Sequence, residues 1–318
     1  MSEMQSVAIT GATGFIGSHL VRLLSAMGIR PIILSRRERS SDFAPTDARW
    51  LRLDLCDKNS LRLLLEREKP DVVIHLAGTR GRNDARGEDA ACEDVNFQAT
   101  VGLLDAAMNV GVRRIVMMGT AEEYGNQPGP LRETLSEKPT SAYGLSKARA
   151  TNYARELNAR AACPAVILRP FTVYGPGQPS GMFVAEAVEC AVKNVAFQMS
   201  RGEQKRDLVF VEDVVSCLLA AAQAPGIDGR VINIGTGQPH CLRDVAERIW
   251  QLTDTSAPLL IGARGARGDE LYDTWADITL ARELLDWQPR TKLESGLKQT
   301  IDFARKGYLH TAEACTAT

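Results

Sequence analysis

Tyr143 and Lys147 stand four residues apart in Tyr143-Gly144-Leu145-Ser146-Lys147, just inside a helix that Pro139-Thr140-Ser141 introduces. Residues at this spacing share a helix face, so a phenol and an ammonium point into one cleft. A free phenol, with a pKa of about 10, is a poor base at neutral pH. A cation about 4 Å away at an effective dielectric of about 20 supplies up to roughly 4 kcal/mol, about three pKa units before desolvation opposes it. Lys147 is thus the expected activator of Tyr143, and the pair suits proton movement on and off a carbinol or carbonyl oxygen. A surface helix can carry the same two residues, so the assignment depends on what the chain brings beside them.

Hydride transfer needs a dinucleotide, and Val7-Ala8-Ile9-Thr10-Gly11-Ala12-Thr13-Gly14-Phe15-Ile16-Gly17-Ser18-His19-Leu20 predicts its site. An apolar strand turns sharply into a helix, and Gly11, Gly14 and Gly17 let backbone approach a diphosphate that meets the helix N-terminus. Thr13, Phe15 and Ile16 belong to the same turn. A second strand, Pro31-Ile32-Ile33-Leu34, ends in Ser35-Arg36. An acid there reads a ribose 2′-hydroxyl and an arginine accommodates a 2′-phosphate, so Ser35 and Arg36 predict NADP(H), with Glu38 keeping NAD as the alternative.

The chain has 318 residues, 44% hydrophobic and 24% charged, enough for one large domain or two modest ones. A net charge of −1 gives no general pull toward nucleic acid or a membrane surface. The first residues lack the basic and apolar regions of a signal peptide, and no apolar run approaches membrane-spanning length, so a cytoplasmic location is expected. Seven scattered cysteines without a Cys-x-x-Cys pair suit reduced thiols, and no metal site is predicted. His75, inside the apolar run Asp71-Val72-Val73-Ile74-His75-Leu76, reads as a core histidine with its partners met.

The glycine spacing, the Tyr143/Lys147 pair and the order of strands together resemble the extended short-chain dehydrogenase/reductase family over residues 6 to 305. That resemblance implies a Rossmann-type doubly wound parallel sheet of the α/β class with a smaller, discontinuous substrate lobe. It places Thr120, in Gly119-Thr120-Ala121-Glu122-Glu123-Tyr124-Gly125, as the hydroxyl that orients the reacting oxygen, and Lys147 also on the nicotinamide ribose. Asp54 and Leu55 become adenine contacts; Leu76, Ala77 and Gly78 pass beside the dinucleotide; Asn96 supports the active-site backbone. Pro170 and its neighbours meet the nicotinamide carboxamide. Thr172 replaces the asparagine common at a substrate position.

In the nucleotide-sugar branch of that family, Gly202-x-x-x-Arg206-Asp207-x-x-x-Val211-x-Asp213 carries an arginine for the substrate diphosphate. Arg206 takes that role by resemblance, and Arg267 is favoured over Arg264 as a second partner. The expected division is 1–175, with 206–238 returning to it, for the cofactor domain; 176–205 and 239–308 for the substrate lobe; and a flexible tail at 309–318. The Arg80, Arg82 and Arg86 loop reads as solvated, with a face toward an anionic substrate as the alternative. The implied substrate is a nucleoside-diphosphate sugar and the implied assembly a homodimer. A 4-keto-sugar reductase is favoured, with 4-epimerase and 4,6-dehydratase as alternatives; in the last, Glu122 takes a proton from sugar C5. A silent NADP(H)-binding sensor or scaffold shares this fold but has no use for Thr120, Tyr143 and Lys147 together.

Overall fold

The computed structural model describes residues 6–38, 47–81, 87–265 and 273–316, with residues 309–316 as backbone only. The strands are β1 (Val7–Thr10), β2 (Ile32–Ser35), β3 (Arg49–Arg52), β4 (Val72–His75), β5 (Arg114–Met118), β6 (Ala165–Pro170), β7 (Thr172–Tyr174), β8 (Phe197–Met199), β9 (Lys205–Phe210), β10 (Val231–Ile234), β11 (Pro239–Cys241) and β12 (Leu259–Ile261). The α-helices are α1 (Phe15–Ala26), α2 (Lys58–Glu68), α3 (Glu88–Cys92), α4 (Ala99–Asn109), α5 (Ala142–Ala161), α6 (Phe183–Val192), α7 (Val211–Gln223), α8 (Leu242–Thr253), α9 (Thr279–Leu285) and α10 (Leu293–Thr316).

Seven parallel strands in the order β10-β6-β5-β4-β1-β2-β3 form the main sheet, so the chain reverses direction of growth between β1 and β4. A parallel sheet is covered on both faces, which is why β1, β4, β5, β6 and β10 are buried along their whole length. Alternate residues still feed different layers. Val7, Ile9 and Ile74 pack with α1 and α7, whereas Ala8, Val73 and Ile115 pack with α2, α4 and α5. The opening between the carboxyl ends of β1 and β4 is where such sheets take ligands.

The lobe has its own core, in which Tyr174, Val188, Phe197, Phe210, Ile249 and Leu297 meet. β7 and β11 flank β9 in a small three-stranded sheet. Strand β9 serves both cores, Leu208 and Phe210 packing into the lobe and Val209 into the first core. Ala281, Leu285 and Trp287, inside the 239–308 stretch assigned to the lobe, also belong to the first core. Helix α10 runs to Thr316, into the segment read as a tail, where Ala312, Glu313 and Ala314 are good helix formers. No described helix is long and apolar enough to cross a membrane.

Candidate active site

At the mouth of the sheet, Gly11 has φ +71°, and a Cβ there would stand 2.5 Å from the Ala77 nitrogen. At Gly17 a Cβ would stand 2.2 Å from the Gly11 carbonyl oxygen. Both glycines therefore serve the close approach of the chain to itself. Gly14 differs: it is exposed, it is the N-cap of α1, and no side chain caps that helix. The first N–H groups of α1 are left facing outward beside exposed Thr13 and half-buried Phe15 and Ile16, a ready site for a diphosphate. The small Ala77 and Gly78 after β4 leave room along the same line. A Cβ on Gly78 would come within 3.2 Å of Lys147 Nζ, so the ammonium looks into that space. These residues fit a dinucleotide.

Ser35 ends β2, and its hydroxyl accepts from the Arg37 N–H at 3.1 Å. Arg36 is exposed, and its charge reaches Cys56 beside Asp54. Asp54 is exposed just past β3, accepting from Cys56 N–H at 3.0 Å, and Leu55 is buried under it. Glu38 pairs with Arg52 at 3.3 Å. Residues 39–46 lie outside the described residues.

Lys147 and Thr120 are buried and Tyr143 is half-buried where α5 begins over the ends of β4 and β5. Ser141 caps α5, accepting from the Gly144 N–H at 3.0 Å. Thr120 caps a 3-10 turn, Ala121–Tyr124: its Oγ1 accepts from Glu122 N–H at 3.3 Å, and Glu123 Oε1 accepts from Thr120 N–H at 2.8 Å. Burial pushes the Tyr143 phenol up to about 12, with Arg80 and the Thr120 hydrogen bond pulling the other way. Burial brings Lys147 down to about 8 against the pull of Glu123, and its Nζ donates to the Met118 carbonyl at 2.9 Å.

The charge on the Tyr143 ring is the Arg80 guanidinium, 4.5 Å from the ring centroid. Arg80 Nη2 donates to Glu122 Oε1 at 2.6 Å, and Ser141 Oγ donates to Glu122 Oε2 at 3.0 Å. The Arg80 loop is thus part of the site rather than solvated; Arg82 and Arg86 lie outside the described residues.

Asn96 sits in a π-helical turn, Glu93–Gln98, its carboxamide bonded to the Thr79 N–H and C=O, each at 2.8 Å, and to Ser146 Oγ at 3.0 Å. Such turns interrupt the 3.6-residue period, and this one aims the amide inward. His75 is buried, with Thr10 Oγ1 at 2.7 Å and Thr100 Oγ1 at 2.9 Å, and burial holds its pKa at about 3. Behind the site, fully buried Arg169 bonds Glu123 at 2.8 Å and Glu137 at 2.6 Å, fixing the carboxylate that caps Thr120. Pro170, buried at the end of β6, carries the chain past this pair. A buried ion cluster of this kind left no periodic mark in the sequence.

Between sheet and lobe lies a cleft of about 240 Å³, lined by Arg80, Thr172, Phe183, Glu186, Arg206 and Arg264. The structure explains the rest of the Arg206 signature. Buried Asp207 accepts from the N–H groups of Thr236, Gly237 and Ala276 at 2.7, 2.9 and 3.1 Å, and Asp213 accepts from those of Arg290 and Thr291, both at 3.0 Å. The two carboxylates hold backbone, and Arg206 faces the cleft. Arg267 lies outside the described residues, whereas Arg264 is in the lining, 3.6 Å from Glu186. A separate groove of about 280 Å³ lies between α6 and α10, and neither it nor the cleft has Thr120, Tyr143 or Lys147 in its lining. Among the described residues no cluster could hold a metal ion.

A doubly wound sheet with a glycine turn at its switch point and Thr120, Tyr143 and Lys147 gathered at its mouth defines an extended short-chain dehydrogenase/reductase. The NAD dependent epimerase/dehydratase family model matches residues 7–235, and the chain belongs to that family. It is 31% identical to the UDP-glucose 4-epimerase of Mycolicibacterium smegmatis over 93% of this chain and 97% of that one. It is 30% identical to the dTDP-6-deoxy-L-talose 4-dehydrogenase (NAD(P)(+)) of Kitasatospora kifunensis, covering 92% and 93% respectively. Among solved structures, MoeE5 in complex with UDP-glucose and NAD superposes with a TM-score of 0.86 at 32% identity, covering 95% of this chain and 99% of that one.

Proposed function

We propose that this chain oxidises and re-reduces C4 of a nucleoside-diphosphate hexose with a nicotinamide dinucleotide, releasing the C4 epimer. The observation that carries the reading is the Thr120–Tyr143–Lys147 group, two of its members buried and Tyr143 half-buried, set beside Arg80 of the arginine-lined cleft. A bound oxidised nicotinamide would supply the hydride acceptor and one positive charge. Tyr143 takes the proton of the C4 hydroxyl in the forward direction and returns it to the keto oxygen in the reverse. Thr120 orients that oxygen, Lys147 holds the ribose edge of the cofactor beside Gly78, and Arg206 with Arg264 holds the diphosphate. Support for epimerisation comes from the M. smegmatis relative and from MoeE5, whose structure contains UDP-glucose and NAD. Both oxygens of Glu122 are already engaged, which disfavours the C5 deprotonation a dehydratase needs. Incubation with NAD⁺ and UDP-glucose, UDP-galactose or UDP-glucuronate, with products resolved by NMR, tests this: C4 epimers support it, and water loss or no conversion of any sugar overturns it.

Exposed Arg36 at the end of β2 favours a second outcome of the same chemistry, NADPH-dependent reduction of a 4-keto sugar. Stoichiometric NADPH oxidation with a 4-keto-6-deoxy nucleotide sugar, and a larger loss of affinity for NADPH than for NADH in Arg36→Ala, would establish it; equal effects on the two cofactors would remove it. A homodimer through α4 and α5, whose Leu145 is exposed, completes the proposal and is read by sedimentation.

A further inference from the structure

The cation on the catalytic ring is held in a way that chance contact does not explain. The Arg80 loop is anchored at its root by Asn96, which bonds both the N–H and the C=O of Thr79 at 2.8 Å. At its tip the guanidinium is clamped by Glu122 at 2.6 Å, and that carboxylate is tied in turn to the Ser141 cap of α5 at 3.0 Å. Between these two anchors the guanidinium carbon stands 4.5 Å from the centroid of Tyr143. We infer that Arg80 is a positioning residue for the proton transfer proposed above, its charge on the ring face stabilising the phenolate form of Tyr143 while Glu122 holds it there. The inference rests on the reading of Tyr143 as the proton-transfer group.

The charges around the phenol set the sign of each expected effect. The 3-10 turn presents Glu122 and Glu123, both opposing phenolate, and the Thr120 hydroxyl, which favours it. From α3, Glu88 faces Arg80 and Cys92 faces Lys147. Lys147, one turn along α5, is directed at Met118 and Gly78, above His75. Glu93 of the π-helical turn is engaged with Arg149. Arg80 is thus a guanidinium set against two carboxylates and burial. An opposite charge at 4–6 Å moves a pKa by about one to three units, and a cation over an aromatic face is attracted to it.

The test labels tyrosine at Cζ and follows ionisation by NMR in the NAD⁺-loaded enzyme from neutral to alkaline pH, with Tyr143→Phe assigning the resonance. Arg80→Met should raise the Tyr143 midpoint by about one unit, and Arg80→Lys should restore part of it. Glu122→Gln, which keeps an acceptor oxygen but removes the opposing charge, should lower it. Arg80→Gln serves if Arg80→Met fails to fold. A midpoint unmoved by either Arg80 variant, a shift of the same sign in the Arg80 and Glu122 variants, or a resonance that stays phenolic throughout in wild type and Glu122→Gln overturns the inference. The measurement needs no sugar, so a wrong substrate assignment, seen as absent turnover, is distinguishable from a wrong role for Arg80.

Discussion

The floor of the site and the cleft above it are built by different means. The floor is backbone: glycines whose Cβ would strike a carbonyl or an amide, strand ends in fixed register, and a helix terminus without a cap. The cleft is side chain, with Arg80, Arg206, Arg264 and Glu186 reaching in from separate elements, two of them paired to carboxylates. A backbone site has little freedom and tolerates little change, so its chemistry is shared across a whole family. A side-chain site can be rewritten residue by residue, which suits a fold that must distinguish one nucleotide sugar from another.

The largest expected effect breaks the chemistry while sparing both regions. Tyr143→Phe should lower turnover by about a hundredfold to ten-thousandfold, the range of general acid–base contributions, while dinucleotide affinity by calorimetry stays within a few-fold of wild type. Turnover close to wild type would mean that another group moves the proton.

The floor itself contains a sharper contrast. Gly17→Ala places a methyl 2.2 Å from a carbonyl oxygen and should destabilise the protein by about 3 kcal/mol or more, read as a lower melting temperature without any ligand. At Gly14, with φ −81° and its nearest contact at 3.2 Å, Ala should fold almost normally and lose dinucleotide affinity instead. Equal melting temperatures for the two variants would dissolve the distinction between glycines that serve the chain and the one that serves the ligand.

The cleft should respond more weakly and more selectively. Arg206→Ala should weaken nucleotide-sugar binding by about 10- to 100-fold, the worth of a charge-assisted hydrogen bond, with dinucleotide affinity unchanged. Unchanged binding of UDP-, GDP-, dTDP- and CDP-sugars alike would take Arg206 out of the substrate site.

The same division governs what the sequence discloses. The strand runs at Val7–Thr10 and Pro31–Leu34 are legible in the sequence, and β1 and β2 lie there, because buried strands leave apolar runs. Thr120, Tyr143 and Lys147 were legible because their order along the chain follows the order of the strands. Asn96 is different: it lies in a helical stretch that begins at Glu88 and passes through a π-helical turn, which no 3.6-residue pattern signals. The role of Arg80 was missed for a related reason. Its partners, Glu122 and Tyr143, are 42 and 63 positions away, and an arginine in a polar loop looks the same whether it meets water or a carboxylate. Arg169, Glu123 and Glu137 were hidden likewise, since a buried ion pair is spelled with the letters of a surface.

The smallest effect tests whether the floor is as closed to protons as its packing implies. His75 is buried between Thr10 and Thr100, and its folded pKa is about 3 against about 6.5 for an exposed histidine. Between those values the unfolded chain binds a proton that the folded one refuses. Stability therefore falls as pH drops below about 6.5, at up to about 1.4 kcal/mol per pH unit from this residue. His75→Gln cannot take up that proton in either state. The variant should be less stable than wild type at neutral pH, where the histidine keeps both hydroxyl partners, and the gap between their melting temperatures should narrow steadily from neutral pH toward about pH 5. Carboxylates elsewhere titrate equally in both proteins and cancel from the difference. Parallel curves would show that His75 accepts its proton in place, which requires water or a counter-charge to reach it between β4 and α4, and would make the floor a polar, adjustable part of the site like the cleft above it.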